Sequence, residues 1–194
     1  MNAIPVLRPG THLHPSDGMC LTEWVSVLAG EPFTDEPLCM EPVLATLARL
    51  VNDDLDDATR QGLVDVAPRL VGATGDGPWS ASDVVAAALG RMVPVSGLPN
   101  RRRRNLDRHL RRASRRSTRL RRRTGHAVAR RVSTWLYRRG PANAALASAV
   151  HSARLLAVVH REALLSAMLH AGLGALVPPD RNGPVPASSR HVRH

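Results

Sequence analysis

The sequence predicts an all-α protein, and two observations carry that reading. Apolar residues recur at steps of three and four, as in Val43, Leu44, Leu47, Leu50 and Val51, which is the period of one helix face. No run of more than four residues shows the strict alternation of a half-buried strand. With 3 % aromatic residues, Leu, Val and Ala must build the core. At 194 residues the chain has room for one ordinary domain with tails, or for two very small ones.

Residues 1–15, punctuated by Pro5, Pro9 and Pro15, read as a disordered leader. Asp17 is a good N-cap for a helix that runs through 19–29 and stops at Gly30. Pro32 and Pro37 make 31–38 a loop. A second helix opens at Glu41, with Pro42 at a tolerated first-turn position, and ends at Asn52-Asp53-Asp54. A third, over 57–66, is ended or kinked by Pro68. After the glycine-rich loop 72–78, Ser80 and Asp83 stand in capping-box register ahead of a helix over 84–93.

The next segment is basic. Leu106, Leu110, Ala113, Ser117, Leu120, Thr124 and Val128 alternate steps of four and three, a narrow stripe on a helix otherwise coated with Arg. Gly125 weakens the middle, so 102–123 and 126–139 read as two helices as readily as one. Gly140-Pro141 is a stop. An alanine-rich helix over 142–171, apolar nearly all round, should be largely buried or packed on a second copy of itself. The chain thus divides into a leader (1–15), an acidic helical module (16–93), a hinge (94–100), an Arg-rich helical segment (101–139), an apolar helix (142–176) and a disordered tail (177–194).

Charge divides the chain in the same place. Residues 1–99 hold thirteen acids and five Arg, a net −8; residues 100–194 hold three acids and 22 Arg, a net +19. There is no lysine. GC-rich codon usage accounts for that, but the physical consequence stands: guanidinium never deprotonates and pairs bidentately with phosphate. The expected role is therefore non-catalytic binding of nucleic acid by phosphate contacts. Arg101, Arg102, Arg103 and Arg104 would act as a clamp. Arg108, Arg111, Arg112, Arg115, Arg116, Arg119, Arg121, Arg122 and Arg123 would supply a charged helix face. Only Trp135 and Tyr137 lie nearby to stack on bases, which favours backbone-directed binding of low sequence specificity. Two other readings of the same segment compete. In one it lies on an anionic membrane with the leucine stripe dipping inward. In the other the acidic half, with its cluster Asp53, Asp54, Asp56 and Asp57, docks on the basic half within or between chains.

Two cysteines are too few for a disulfide scaffold. No signal peptide and no run of about 18 uncharged apolar residues is present, and the expected location is the cytoplasm. Cys20 and Glu23, three apart, share a helix face; with Cys39 and His14 they are weak candidates for a metal site or a small enzyme's centre. The eighteen-residue gap between the cysteines is not a chelate spacing, and a catalytic cysteine needs a histidine partner. No catalytic residue and no cofactor is assigned. Glu23, Glu31 and Asp35 place three carboxylates near one turn, where they could form a general acid/base or cation site. The blander reading is helix capping and loop hydrogen bonding, with Glu23 facing solvent. The loop from Gly72 to Gly77 lacks the lysine and flanking strand of a phosphate loop.

Cys20, Leu21, Glu23, Ala29, Gly30, Glu31, Phe33, Thr34, Asp35, Pro37 and Cys39, followed by Leu47, Ala48, Arg49, Val51, Asn52 and Asp53, form one pattern. It resembles that of a family of uncharacterised proteins from actinobacteria and their phages. The resemblance covers residues 14–75, leaves the Arg-rich half outside it, and implies no activity.

Overall fold

A computed structural model describes residues 5–122 and 127–176. It is all-α: among these residues the extended contacts amount to one isolated parallel bridge between Leu7 and Met19. The helices are α1 (Leu21–Leu28), α2 (Pro42–Asp54), the short α3 (Asp57–Gln61) and α4 (Ala67–Leu70), α5 (Ser80–Met92), α6 (Asn100–Arg122), α7 (Ala127–Tyr137), α8 (Asn143–Ala153) and α9 (Val158–Gly174).

Local chemistry sets the starts. Glu41 caps α2 by accepting from the Val43 and Leu44 amides, with Pro42 in the first turn. The face this exposes inward, Val43, Leu44, Leu47, Ala48 and Val51, is completely buried. α5 is central: Val84, Val85, Ala88, Leu89 and Met92 are buried, and α6 and α9 are its main neighbours. Gly172 lets α9 close on this layer, since a Cβ there would meet Leu47 Cδ2 at 2.9 Å and Val84 Cγ1 at 3.4 Å. One continuous core joins residues of α1, α2 and α5 to residues of α6, α8 and α9.

That continuity changes several expectations. Residues 94–100 do not separate two modules. They fold α6 straight back onto α5, with Leu98 buried, Gly97 at φ +89° and Arg103 donating to the Val95 carbonyl at 3.2 Å. The described part of the leader, residues 5–15, is packed against the helices and is not a disordered segment. Leu7 is buried, and the backbone beside it is met by side chains of the helices: Gln61 takes the Leu7 amide at 3.1 Å, Asn52 donates to the Arg8 carbonyl at 2.8 Å, and Asp53 takes the Gly10 amide at 2.8 Å.

The first helix begins at Leu21, after a 3-10 turn over Pro15–Asp17. Ser80 and Asp83 open α5 without a capping box, because Asp83 turns to α6 instead.

The chain also runs helically through Pro141. A π-helical turn, Arg138–Ala142, links α7 to α8, and its wider ring spares the amide that proline lacks. The expected single helix over 142–171 breaks between Ala153 and Val158, where Ala157 is extended (ψ 145°). The elbow brings Arg154 to Asp54 at 2.6 Å and leaves Leu155, Val158 and Val159 at the surface. The tail 177–194 lies outside the described residues.

Candidate nucleic-acid interface

α6 owes its placement to a stripe of small and apolar side chains. Leu106, Ala113, Ser117 and Leu120 are buried and Leu110 half-buried, all on the side that meets the core. At about 100° per residue, the opposite side of the helix collects Arg101, Arg104, Arg108, Arg112, Arg115, Arg119 and Arg122 within an arc of roughly 80°. All seven are exposed. Among the described residues none of the seven forms an ion pair. With about 1.5 Å of rise per residue, the ridge is about 32 Å long. Arg101, Arg102, Asn105 and Arg108 line a concavity of about 540 Å³ at its beginning, where the helix terminus adds partial positive charge.

Four of the other arginines of α6, Arg103, Arg111, Arg116 and Arg121, are engaged elsewhere. Arg102 is exposed but lies off the ridge. Arg103 is tied to the Val95 carbonyl. Arg111, at the ridge margin, pairs with Asp107 one turn earlier at 2.7 Å. Arg116 donates to the Ser133 hydroxyl and carbonyl at 3.0 and 2.9 Å and lies 4.6 Å over the Tyr137 ring. Its burial lowers the guanidinium pKa from the usual range, against the pull of Tyr137. Arg121 reaches Asp83 at 2.6 Å and covers Trp79 at 4.9 Å. Arg103, Arg116 and Arg121 thus fasten α6 to the rest of the molecule, and Arg123 lies outside the described residues. His109 adds no charge near neutrality, because burial, Arg112 and Arg108 all lower its pKa.

Among the described residues three ion pairs link the acidic half to the basic half: Asp83 with Arg121, Glu41 with Arg138 at 2.7 Å, and Asp54 with Arg154. Burial raises the pKa of the Glu41 carboxyl, and the Arg138 guanidinium beside it lowers it against that rise. The aspartate cluster serves local ends as well. Asp56 caps α3 through the Thr59 amide, and Asp57 pairs with Arg60. Arg60 is buried and donates to the Asn52 and Leu55 carbonyls at the end of α2.

The cysteine segment is a structural frame. Glu23 is fully buried, not solvent-facing, and its carboxylate accepts from the His12 amide, the His12 ring and the Cys20 amide at 2.6, 2.8 and 2.6 Å. His14 instead bonds Ser16 and caps the 3-10 turn. Cys20 bonds the Thr22 hydroxyl, and burial pushes its thiol up to about 11, so it is not a thiolate at neutral pH. Cys39 is half-buried and its pKa is raised by the same cause. The two cysteines are not bridged. Among the described residues no three His, Cys, Asp or Glu side chains gather as a metal site. Other residues of the pattern pair with each other: Arg49 with Asp35 at 2.9 Å, and Asn52 with the Leu21 amide at 3.2 Å.

Two features escaped the sequence. One is a cavity of about 750 Å³ between the start of α2 and the π-turn, with Glu41, Met40, Trp135 and Arg138 in its walls. The other is the outward face of α7, where Val128, Val132, Trp135 and Leu136 are all more than half exposed. No helix among the described residues is long and apolar enough to cross a membrane. Set beside family models, curated proteins and solved structures, the chain matches none of them.

Proposed function

We propose that this protein binds nucleic acid through the phosphate backbone, using the α6 ridge, and that its role is binding and not catalysis. The observation that carries the reading is the ridge itself. Seven exposed arginines lie in line with no carboxylate among the described residues to neutralise them, on a chain whose net charge is +11. A row of about 32 Å matches roughly one turn of duplex, over which each strand carries a phosphate about every 3.4 Å. A rigid helix keeps the guanidinium groups in register, so little order is lost on contact, and each can take a phosphate oxygen bidentately. The ridge is chemically uniform. It offers no alternation of donors and acceptors with which to read base edges, so affinity should depend weakly on sequence.

The test is a salt titration on nuclease-treated protein with duplex DNA and duplex RNA of arbitrary sequence. About four or five phosphate contacts predict that log K falls with log salt at a slope of about −4 on duplex DNA. Replacing Arg108, Arg112 and Arg115 with Gln should flatten that slope by about 2 to 3. Replacing Arg121, which is bound to Asp83, should change the slope far less. No retention of either duplex at about 50 mM salt, where counterion release is most favourable, refutes the reading.

A further inference from the structure

α7 is built inside out. The side turned to the body of the protein is polar: Ser133 receives Arg116, Thr134 is buried with its hydroxyl 3.5 Å from the Pro78 carbonyl, and Tyr137 lies under Arg116. The side turned to solvent is apolar, with Val128 74 %, Val132 51 %, Trp135 52 % and Leu136 55 % exposed. At about 100° per residue these four fall within roughly a quarter of the helix circumference. Arginines border them: Arg131 is exposed, and Arg139 lies 4.8 Å over the Trp135 ring. The stripe has no counterpart on α6, whose own Leu106, Ala113 and Leu120 are spent on the core.

Charge and area decide what covers this face. A second copy would bury four side chains from each partner along one short helix, well under the roughly 1,200 Å² of a stable interface. It would also bring two chains of net charge +11, with their Arg131 and Arg139 side chains, into contact. A nucleic-acid duplex presents phosphates and leaves Val132 and Leu136 in water. An anionic bilayer satisfies both halves of the pattern. Its interface accepts a short apolar stripe lying in plane, takes tryptophan at headgroup depth, and offers phosphates to arginines that reach back from the flanks.

We propose that α7 docks the protein on anionic membrane surfaces, inserting Val128, Val132, Trp135 and Leu136 into the headgroup boundary while Arg131 and Arg139 hold lipid phosphates. The stripe is independent of the α6 ridge, and the membrane reading stands or falls separately from the nucleic-acid one.

The experiment is flotation of the full, nuclease-treated chain with phosphatidylcholine vesicles, with and without about 30 % phosphatidylglycerol. The protein should float with the anionic vesicles and far less with the neutral ones. Its tryptophan emission should shift to the blue, and W135F should remove most of that shift. V132D/L136D should weaken vesicle partition by at least about tenfold, while its melting temperature and duplex affinity stay near those of the unaltered chain. V132K/L136K adds positive charge and removes the apolar stripe, so it should lose the blue shift even though electrostatic attraction has grown. Because both positions are exposed, one of the two variants should fold even if the other does not.

Several results would overturn the proposal. They are no partition into anionic vesicles, partition and blue shift unchanged in both double variants, or loss of duplex binding in those variants in place of vesicle binding. A concentration-dependent dimer that the same substitutions dissolve would assign the face to a second copy instead.

Discussion

Neighbouring arginines on α6 have opposite employments. Arg115 is exposed on the ridge, whereas Arg116 is held by two hydrogen bonds to Ser133 and by the Tyr137 ring. Arg115→Ala should leave the melting temperature within the noise of a surface substitution, about 0.5 kcal/mol, and should weaken duplex binding. Arg116→Ala should cost about 1 to 2 kcal/mol of stability by freeing α7, with hydrogen bonds and cation–π contact both lost. Thermal melts beside binding isotherms separate the two, and an equal stability cost for both would contradict the assignment. Glu41 offers a second test at this scale, through pH. Burial raises its carboxyl pKa above the usual 4.5, while Arg138 and the Val43 and Leu44 amides pull it down. A carboxyl whose folded pKa is raised contributes stability that is whole below the unfolded value and lost as pH rises through the folded value. Arg138→Met removes the countercharge and raises that pKa further. The variant should therefore trail the unaltered chain by about 2 kcal/mol at about pH 7 and by little at about pH 4. Taking the difference at each pH cancels the other carboxylates, and a deficit independent of pH would show that Arg138 acts by packing alone.

Among the elements, α1 and the leader stand or fall together, because Glu23 serves both. Its carboxylate closes the capping box with Cys20 and holds the His12 amide and ring. Glu23→Ala would leave those donors unpaired next to a buried helix start, at a cost of about 2 to 4 kcal/mol. Residues 5–14 should be the first cut by a protease in that variant, and a protected leader would refute the coupling. This coupling also shows which parts of the fold the sequence discloses. The α6 stripe was legible because a helix with one buried face writes its period directly into the chain. Which arginines stand unpaired opposite it was not, since Arg116 and Arg121 take partners on other elements. The start of α2 was legible because Glu41 and Pro42 act on the next few residues. What was illegible depends on partners far along the chain. Asp83 meets Ser117 and Arg121 more than thirty residues on, and the leader's amides are met by Asn52, Asp53 and Gln61. The elbow at 154–157 carries no glycine or proline to announce it. The outward face of α7 was illegible for a different reason: an apolar stripe has the same spacing whether it faces the core or the solvent.

Across the whole molecule, the decisive quantity is the charge the fold leaves over. Among the described residues three ion pairs join the acidic and basic halves, and the chain carries a net +11, with none of the seven ridge arginines in an ion pair. Self-repulsion of that surplus destabilises the compact state, and a polyanion that covers the ridge relieves it and adds binding free energy on top. Two effects of opposite sign follow from thinning the ridge. With Arg108, Arg112 and Arg115 replaced by Gln, the free protein should melt slightly higher at low salt, because repulsion has fallen. Yet the rise in melting temperature on adding duplex DNA should shrink. For the unaltered chain at a hundredfold excess over Kd the linkage amounts to about 2.7 kcal/mol, or roughly 5 to 10 °C for a chain of this size. That increment should fade toward about 1 M salt, where the Debye length contracts to about 3 Å. Salt alone should raise the melting temperature of the free protein over the same range, since it screens the same repulsion. A triple variant that melts lower than the parent while responding fully to DNA would mean that the three arginines hold the fold together and are not the surface that meets the polyanion.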